Sequence, residues 1–126
     1  MARPAVHAHP GAWVAAAGAS AVLAGAFGAH ALRTVLDQRS MALWHTAVEY
    51  HFWHALALTL AVAWGRGRSG RVAAVAFAVG IVLFCGSLYA LALGAPRWVG
   101  IITPLGGLAF VAAWIALGLS LRLPGD

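Results

Sequence analysis

The chain has 126 residues, of which 63% are apolar and only 9% charged, and its net charge is +5. An ordinary soluble domain is about one quarter charged, and this composition cannot supply a polar surface for a fold of this size. It excludes a soluble globular domain, a disordered chain and a nucleic-acid binder, and leaves one domain, residues 1–126, embedded in a membrane.

Four apolar stretches follow one another, at about residues 13–31, 41–64, 72–93 and 99–121. Each is long enough to cross a hydrocarbon core of roughly 30 Å, and a backbone in lipid must satisfy its own hydrogen bonds, so each is predicted to be a helix. In the first, Ala17, Ala21, Gly25 and Ala29 recur every four residues, a stripe that lets helix backbones approach. Ala29-His30-Ala31 mimics a signal-peptide cleavage site, but the apolar run exceeds the usual 7–15 residues, so it is taken as a retained span. His7 and His9 precede it and read as a frayed tail rather than a metal site.

Residues 32–40 are mildly amphipathic and are expected to lie along the interface, with Asp37 or Ser40 capping the second helix. Residues 65–71 (GRGRSGR) are expected to form a polar hairpin, and 94–98 (GAPRW) a tight turn. Short connectors force neighbouring helices antiparallel, so the expected fold is an all-α, up-down-up-down bundle of four transmembrane helices. Trp13, Trp44, Trp64 and Trp98 fall near the span ends, where indoles favour the interface.

The eight basic residues are all arginine. Arg3, Arg66, Arg68, Arg71 and Arg122 lie on the side of the two termini; Arg33, Arg39 and Arg97 lie on the other. The positive-inside rule then places both termini in the cytoplasm of a multi-pass protein. The arginines imply membrane lipid as a partner, with no nucleic acid. Cys85, the single cysteine, sits in an apolar run and reads as an inert buried thiol.

The polar residues of the spans fall in one leaflet: His30 ends the first helix, His45, Thr46, Glu49, Tyr50, His51 and His54 fill the first half of the second, Cys85, Ser87 and Tyr89 lie in the third, and Thr103 opens the fourth. The other leaflet, including residues 14–23, 55–63, 72–82 and 110–121, reads as almost purely apolar. Glu49 lies about 12 Å inside its helix at 1.5 Å per residue, and an acidic residue at a helix centre costs at least ~2.5 kcal/mol on insertion scales, less toward the interface. His45 and Thr46 share its face, and Tyr50 and His54 form a second pair one turn apart. Glu49 is therefore expected to point into the bundle, within hydrogen-bonding reach of His30, His45, Thr46, Ser87, Tyr89 or Thr103. The candidate functional cluster is His30, His45, Glu49, Tyr50, His54, Ser87, Tyr89 and Thr103. His51 points further round the helix, toward another helix or the headgroups. Hydrogen bonds that only join helices are the plainer reading of the hydroxyl groups.

At these residues the sequence resembles the YgdD-like family of small inner-membrane proteins. The resemblance rests on Gly25-Ala26-Phe27-Gly28-Ala29-His30, on Trp44-x-Thr46-x-x-Glu49-Tyr50 with His54-x-Leu56-Ala57, on Phe84-x-Gly86-Ser87-Leu88-Tyr89, and on Thr103-Pro104-x-Gly106-Gly107 ending near Trp114. It implies a four-helix protein of the bacterial inner membrane, with a human relative and no assigned activity. Cys85 sits where a relative has serine, which implies no essential thiol.

No zinc-protease, phosphate-loop or nucleophile-elbow motif is present, and an enzyme acting on lipid or quinone would lack a nucleophile–base pair. The small size and the missing catalytic constellation favour a non-enzymatic accessory, assembly or small-ligand-binding protein, with a homo-oligomer or another membrane protein as partner. The alternatives are a proton-coupled transporter acting as an oligomer, and a metal or haem site built from His30, His45, His51, His54 and Glu49. The sequence names no cofactor.

Overall fold

The computed structural model describes residues 9–122, and these are helical with short connections and no strand. Helix α1 runs Pro10–His30. Proline suits its first turn, where the missing N–H would have no partner, and His9 caps it by accepting from the Gly11 amide at 3.1 Å. His7 lies outside the described residues.

Residues 31–37 are a run of turns with two faces: Leu32 turns inward against Trp44 and Ala92 and Leu36 packs beside it, while Arg33, Thr34 and Asp37 are exposed. Helix α2 then runs Gln38–Trp64, with Asp37 as its N-cap. The Asp37 carboxylate accepts from the Ser40 amide at 2.7 Å. That amide, then the Ser40 hydroxyl, hold the exposed carboxyl below its ordinary value of 3.8. A lowered folded value means the cap stabilises the helix above pH 3.8 and is lost as pH falls through the lowered value. The Ser40 amide resonance is expected to titrate with a midpoint below 3.8, and to lose that titration in Asp37→Asn; a midpoint at the ordinary value would remove the cap.

Helix α3 (Gly67–Gly80), a π-helical turn (Ile81–Cys85) and α4 (Gly86–Ala92) form one continuous rod. Its start corrects the expected hairpin at 65–71. Gly67 turns the chain at φ 60°, so Arg68 and Arg71 already lie in helix and only Gly65 and Arg66 connect. Ser120 holds that corner, accepting from the Arg66 amide and donating to the Arg66 carbonyl. Gly94, at φ 102°, makes the next turn. A 3-10 turn (Arg97–Ile101) then leads into α5 (Ile102–Arg122).

The helices pack in sequence order: α1 on α2, α2 on α3 and α4, and α3 on α5. Trp44 reaches back to Ala24 and His51 to Ser20, so α1 and α2 are antiparallel. Gly70 meets Ser120 and Gly106 meets Phe84, so α3 and α5 are antiparallel too. The core is built largely of alanine (Ala47, Ala57, Ala61, Ala73, Ala113) around Leu58, Phe77, Cys85 and Phe110. Lipid gives helices no hydrophobic reason to associate, so small residues that bring backbones together supply the attraction through van der Waals contact.

The expected small-residue stripe is shifted. Ala21 is buried, but Ala29 is exposed and Gly28 takes the contact. A Cβ at Gly28 would fall within the Trp44 indole, one at Gly80 within the Phe110 ring, and one at Gly106 on the Phe84 backbone. All four sequence motifs therefore contain a residue of a tight helix contact: Gly28 with Trp44, and Phe84 with Gly106. Trp44, expected at the interface, is buried instead, and its Nε1–H donates to the Ala24 carbonyl at 2.9 Å. Trp64 and Trp98 are exposed. Helices α1 (Pro10–His30), Gly67–Ala92 and Arg97–Arg122 are each long and apolar enough to cross a membrane.

Candidate functional site

Helix α2 turns one set of polar side chains inward and another outward. The inward set is Tyr50, His51 and His54. His51 lies between α1 and α4, with Nδ1 2.8 Å from the Tyr89 hydroxyl and Nε2 3.0 Å from Ser20 Oγ. The Ser20 hydroxyl donates to the Ala17 carbonyl at 3.1 Å, so its single proton is committed. His51 Nε2–H must then donate to Ser20, and Tyr89 O–H donates to Nδ1. For a neutral imidazole this is a directed chain, Tyr89 to His51 to Ser20 to the α1 backbone.

His54 adopts the opposite tautomer. Its Nδ1–H donates to the Tyr50 carbonyl at 2.7 Å, and its Nε2 accepts from Trp114 Nε1–H at 3.1 Å. The ring stacks on Phe110, with centroids 3.6 Å apart and planes 12° apart. Tyr50 stacks behind it at 5.7 Å and also packs on Phe84 at 4.5 Å. Aromatic faces with a fixed hydrogen bond at each ring nitrogen leave this imidazole one orientation.

Ser87 and Thr103 form a third inward group. Ser87 donates to the Phe84 carbonyl at 3.0 Å, so the Thr103 hydroxyl donates to Ser87 across 2.6 Å. Among the described residues no buried side-chain nitrogen or oxygen lacks a partner.

The single polar cluster expected from sequence is thus divided. Tyr50, His54, Ser87, Tyr89 and Thr103 are brought inside, but as separate pairs. His30, His45, Thr46 and Glu49 are exposed. The expectation that Glu49 points into the bundle is overturned: its side chain faces outward, and no side-chain hydrogen bond among the described residues includes it. The reason is helical geometry. Residues 50, 51 and 54 occupy the inward arc of α2, and Glu49, about 100° from Tyr50, falls outside it.

Ser20 and Trp114, both exposed, supply the partners of the enclosed His51 and His54; Ser20 was not singled out in the sequence, Trp114 only as a motif end, and His51 only as a ligand of the alternative metal or haem site. The signal was the position of His51, one turn from Ala47 and Ala55 on the same buried side of α2. Ser20 and Ser120 also correct the expected apolar leaflet, since each anchors a helix contact within it. Cys85 is buried. Among the described residues, no group of three histidines, cysteines or carboxylates lies close enough to hold a metal ion.

A family profile described as "Protein of unknown function (DUF423)" matches residues 24–107. The chain is 43% identical over 102 residues to the UPF0382 membrane protein YwdK of Bacillus subtilis, covering 77% of this chain and 82% of that one. It is 45% identical over 96 residues to the UPF0382 inner membrane protein YgdD of Escherichia coli, covering 74% and 73% of the two chains. A UPF0382 membrane protein of Haemophilus influenzae is 40% identical over 107 residues, covering 82% and 86%. No solved structure matches the chain. The matched region begins at Ala24, which accepts from Trp44, and ends at Gly107, beside the Gly106–Phe84 contact; on that match and these identities, the chain is a membrane protein of the DUF423 family.

Proposed function

We propose that this protein is a non-enzymatic component of the bacterial inner membrane that works by docking on another membrane-embedded chain. All four helical rods cross the bilayer, up-down-up-down, with both termini in the cytoplasm. Helix α2 is the least apolar of them, yet it runs antiparallel between α1 and α3, which takes it across with them. Five arginines, Arg3, Arg66, Arg68, Arg71 and Arg122, fall on the cytoplasmic side, against Arg33, Arg39 and Arg97 opposite.

One observation carries this reading. Among the described residues every buried polar side chain is hydrogen-bonded, to another side chain or to backbone, which leaves no unpaired inward group there for substrate chemistry, while the ionisable His45 and Glu49 face outward. Ionisable groups at membrane depth mark function by default, and on the outside of a helix that function is contact with another chain.

The test has two arms. Reporter fusions after Asp126 are expected to give a cytoplasmic signal and fusions within residues 31–37 a periplasmic one; the reverse pattern would overturn the topology. Purified protein in proteoliposomes is expected to show no proton-coupled flux. Flux present in wild type and abolished in Glu49→Gln would replace the docking reading with the transporter.

A further inference from the structure

We infer that the outward face of α2 is the interface of a parallel homodimer, in which Glu49 of each copy is hydrogen-bonded by His45 of the other. This rests on the docking reading above and names its partner as a second copy of this chain.

Two features of the face support it. The first is its spacing. Ala42, Thr46, Glu49, Trp53, Leu56, Leu60 and Ala63 are all exposed, and they recur at alternating steps of four and three residues. That is the 3.5-residue repeat that keeps one seam of a helix facing a partner through a left-handed crossing. The seam runs nearly the whole length of α2, and no helix among the described residues covers it. Trp53 is 54% exposed and Leu56 65% exposed, large side chains of the size that fill the spaces of a facing helix.

The second is charge complementarity. A carboxylate facing hydrocarbon without a partner is unfavourable, and among the described residues Glu49 makes no side-chain hydrogen bond, not even to His45 one turn earlier on its own helix. A donor stands one turn earlier at His45, on the edge of the same seam. Two copies inserted with the same topology are related by a two-fold axis along the membrane normal, so their α2 helices run parallel and residue i meets j while j meets i. Side chains on a helix lean toward its N-terminus. Glu49 therefore reaches back toward the turn that carries His45 in the second copy. The symmetric arrangement closes two carboxylates and two imidazoles into one ring, so neither acid is left in lipid. A lipid cover would leave the acid only the unformed contact to its own His45, and a partner of another kind would have to bring its own donor; a second copy adds a donor at the required height.

The full chain in native membranes can be tested by cysteine cross-linking, because native Cys85 is buried and does not compete. Leu56→Cys and Ala63→Cys lie on the seam; Val111→Cys, exposed on α5, is the control. With two differently tagged copies co-expressed, both seam variants are expected to give mixed-tag disulfide dimers at least about tenfold faster than the control. In the Leu56→Cys background, His45→Ala or Glu49→Gln is expected to slow cross-linking about threefold to tenfold, the effect of losing interhelical hydrogen bonds in a membrane. Exchanging the pair, His45→Glu with Glu49→His, is expected to restore the rate. Equal cross-linking at Val111→Cys, none at both seam positions, or no response to either pair variant would overturn the inference. A seam cysteine that joins only a different protein would overturn the homodimer while leaving the docking reading in place.

Discussion

Gly106→Ala is expected to destabilise the helix assembly by about 1–3 kcal/mol, the usual cost of forcing one methyl group into a filled core. The new Cβ would land on the backbone nitrogen of Phe84, in the π-helical turn. A side chain could rotate away, but a backbone held in a helix cannot, so α5 must back off from the third rod. That movement would also lengthen the Ser87–Thr103 hydrogen bond, one helical turn away. Gly118→Ala in the same helix is the matched control, because nothing lies within 4 Å of its added methyl; there the better helix propensity of alanine should give no loss. Denaturant unfolding in detergent micelles, followed by circular dichroism, measures both. Equal stability of the two variants would show that α5 and the π-helical turn are less tightly joined.

The other large effect is expected at His54. His54→Ala removes a ring stacked 3.6 Å from Phe110 and leaves the Trp114 indole N–H without an acceptor. The cavity and the orphaned donor together are expected to cost about 3–5 kcal/mol. Trp114→Phe should cost less, about 0.5–1.5 kcal/mol, because it keeps an aromatic ring on Phe77 and loses chiefly the hydrogen bond to His54 Nε2. Combining the two is expected to cost less than their sum, since the double variant has no unpaired donor. The same unfolding assay reads the cycle. Strict additivity would mean that the Trp114–His54 hydrogen bond contributes nothing. Loss of stability at His54 but little at Glu49→Gln in monomeric micelles would separate the packing role of the first from the docking role of the second.

These two sites illustrate what could be read in the chain order alone. The four apolar stretches became four helical rods because a backbone in lipid has few other ways to satisfy its hydrogen bonds. The same constraint made the membrane assignment legible from composition. The motif around Thr103 and Gly106 was legible as a helix contact, because glycine pairs in an apolar helix permit close approach. The Tyr50–His54 pair was legible from its one-turn spacing, and Asp37 as a cap from its place before the second stretch.

The direction each face of α2 takes was not legible, and the docking proposal rests on it. In water, burial of apolar surface would choose the inward face. In lipid both sides of a helix meet apolar surroundings, so hydropathy does not distinguish them. The choice falls to shape. Gly28 opens a seat for Trp44, Gly80 one for Phe110, and Gly106 one for the Phe84 backbone. Those contacts set the rotation of each helix about its axis. Once Trp44 is seated against α1, residues 51 and 54 must face inward and residues 45, 46 and 49 outward. Sequence thus determined where the helices lie, that small residues bring them together and that a carboxylate sits within the second helix. Only the packing of these helices decided that His51 and His54 are enclosed and that Glu49 is left on the outside, because steric fit between non-adjacent residues, not polarity, orients helices in a bilayer.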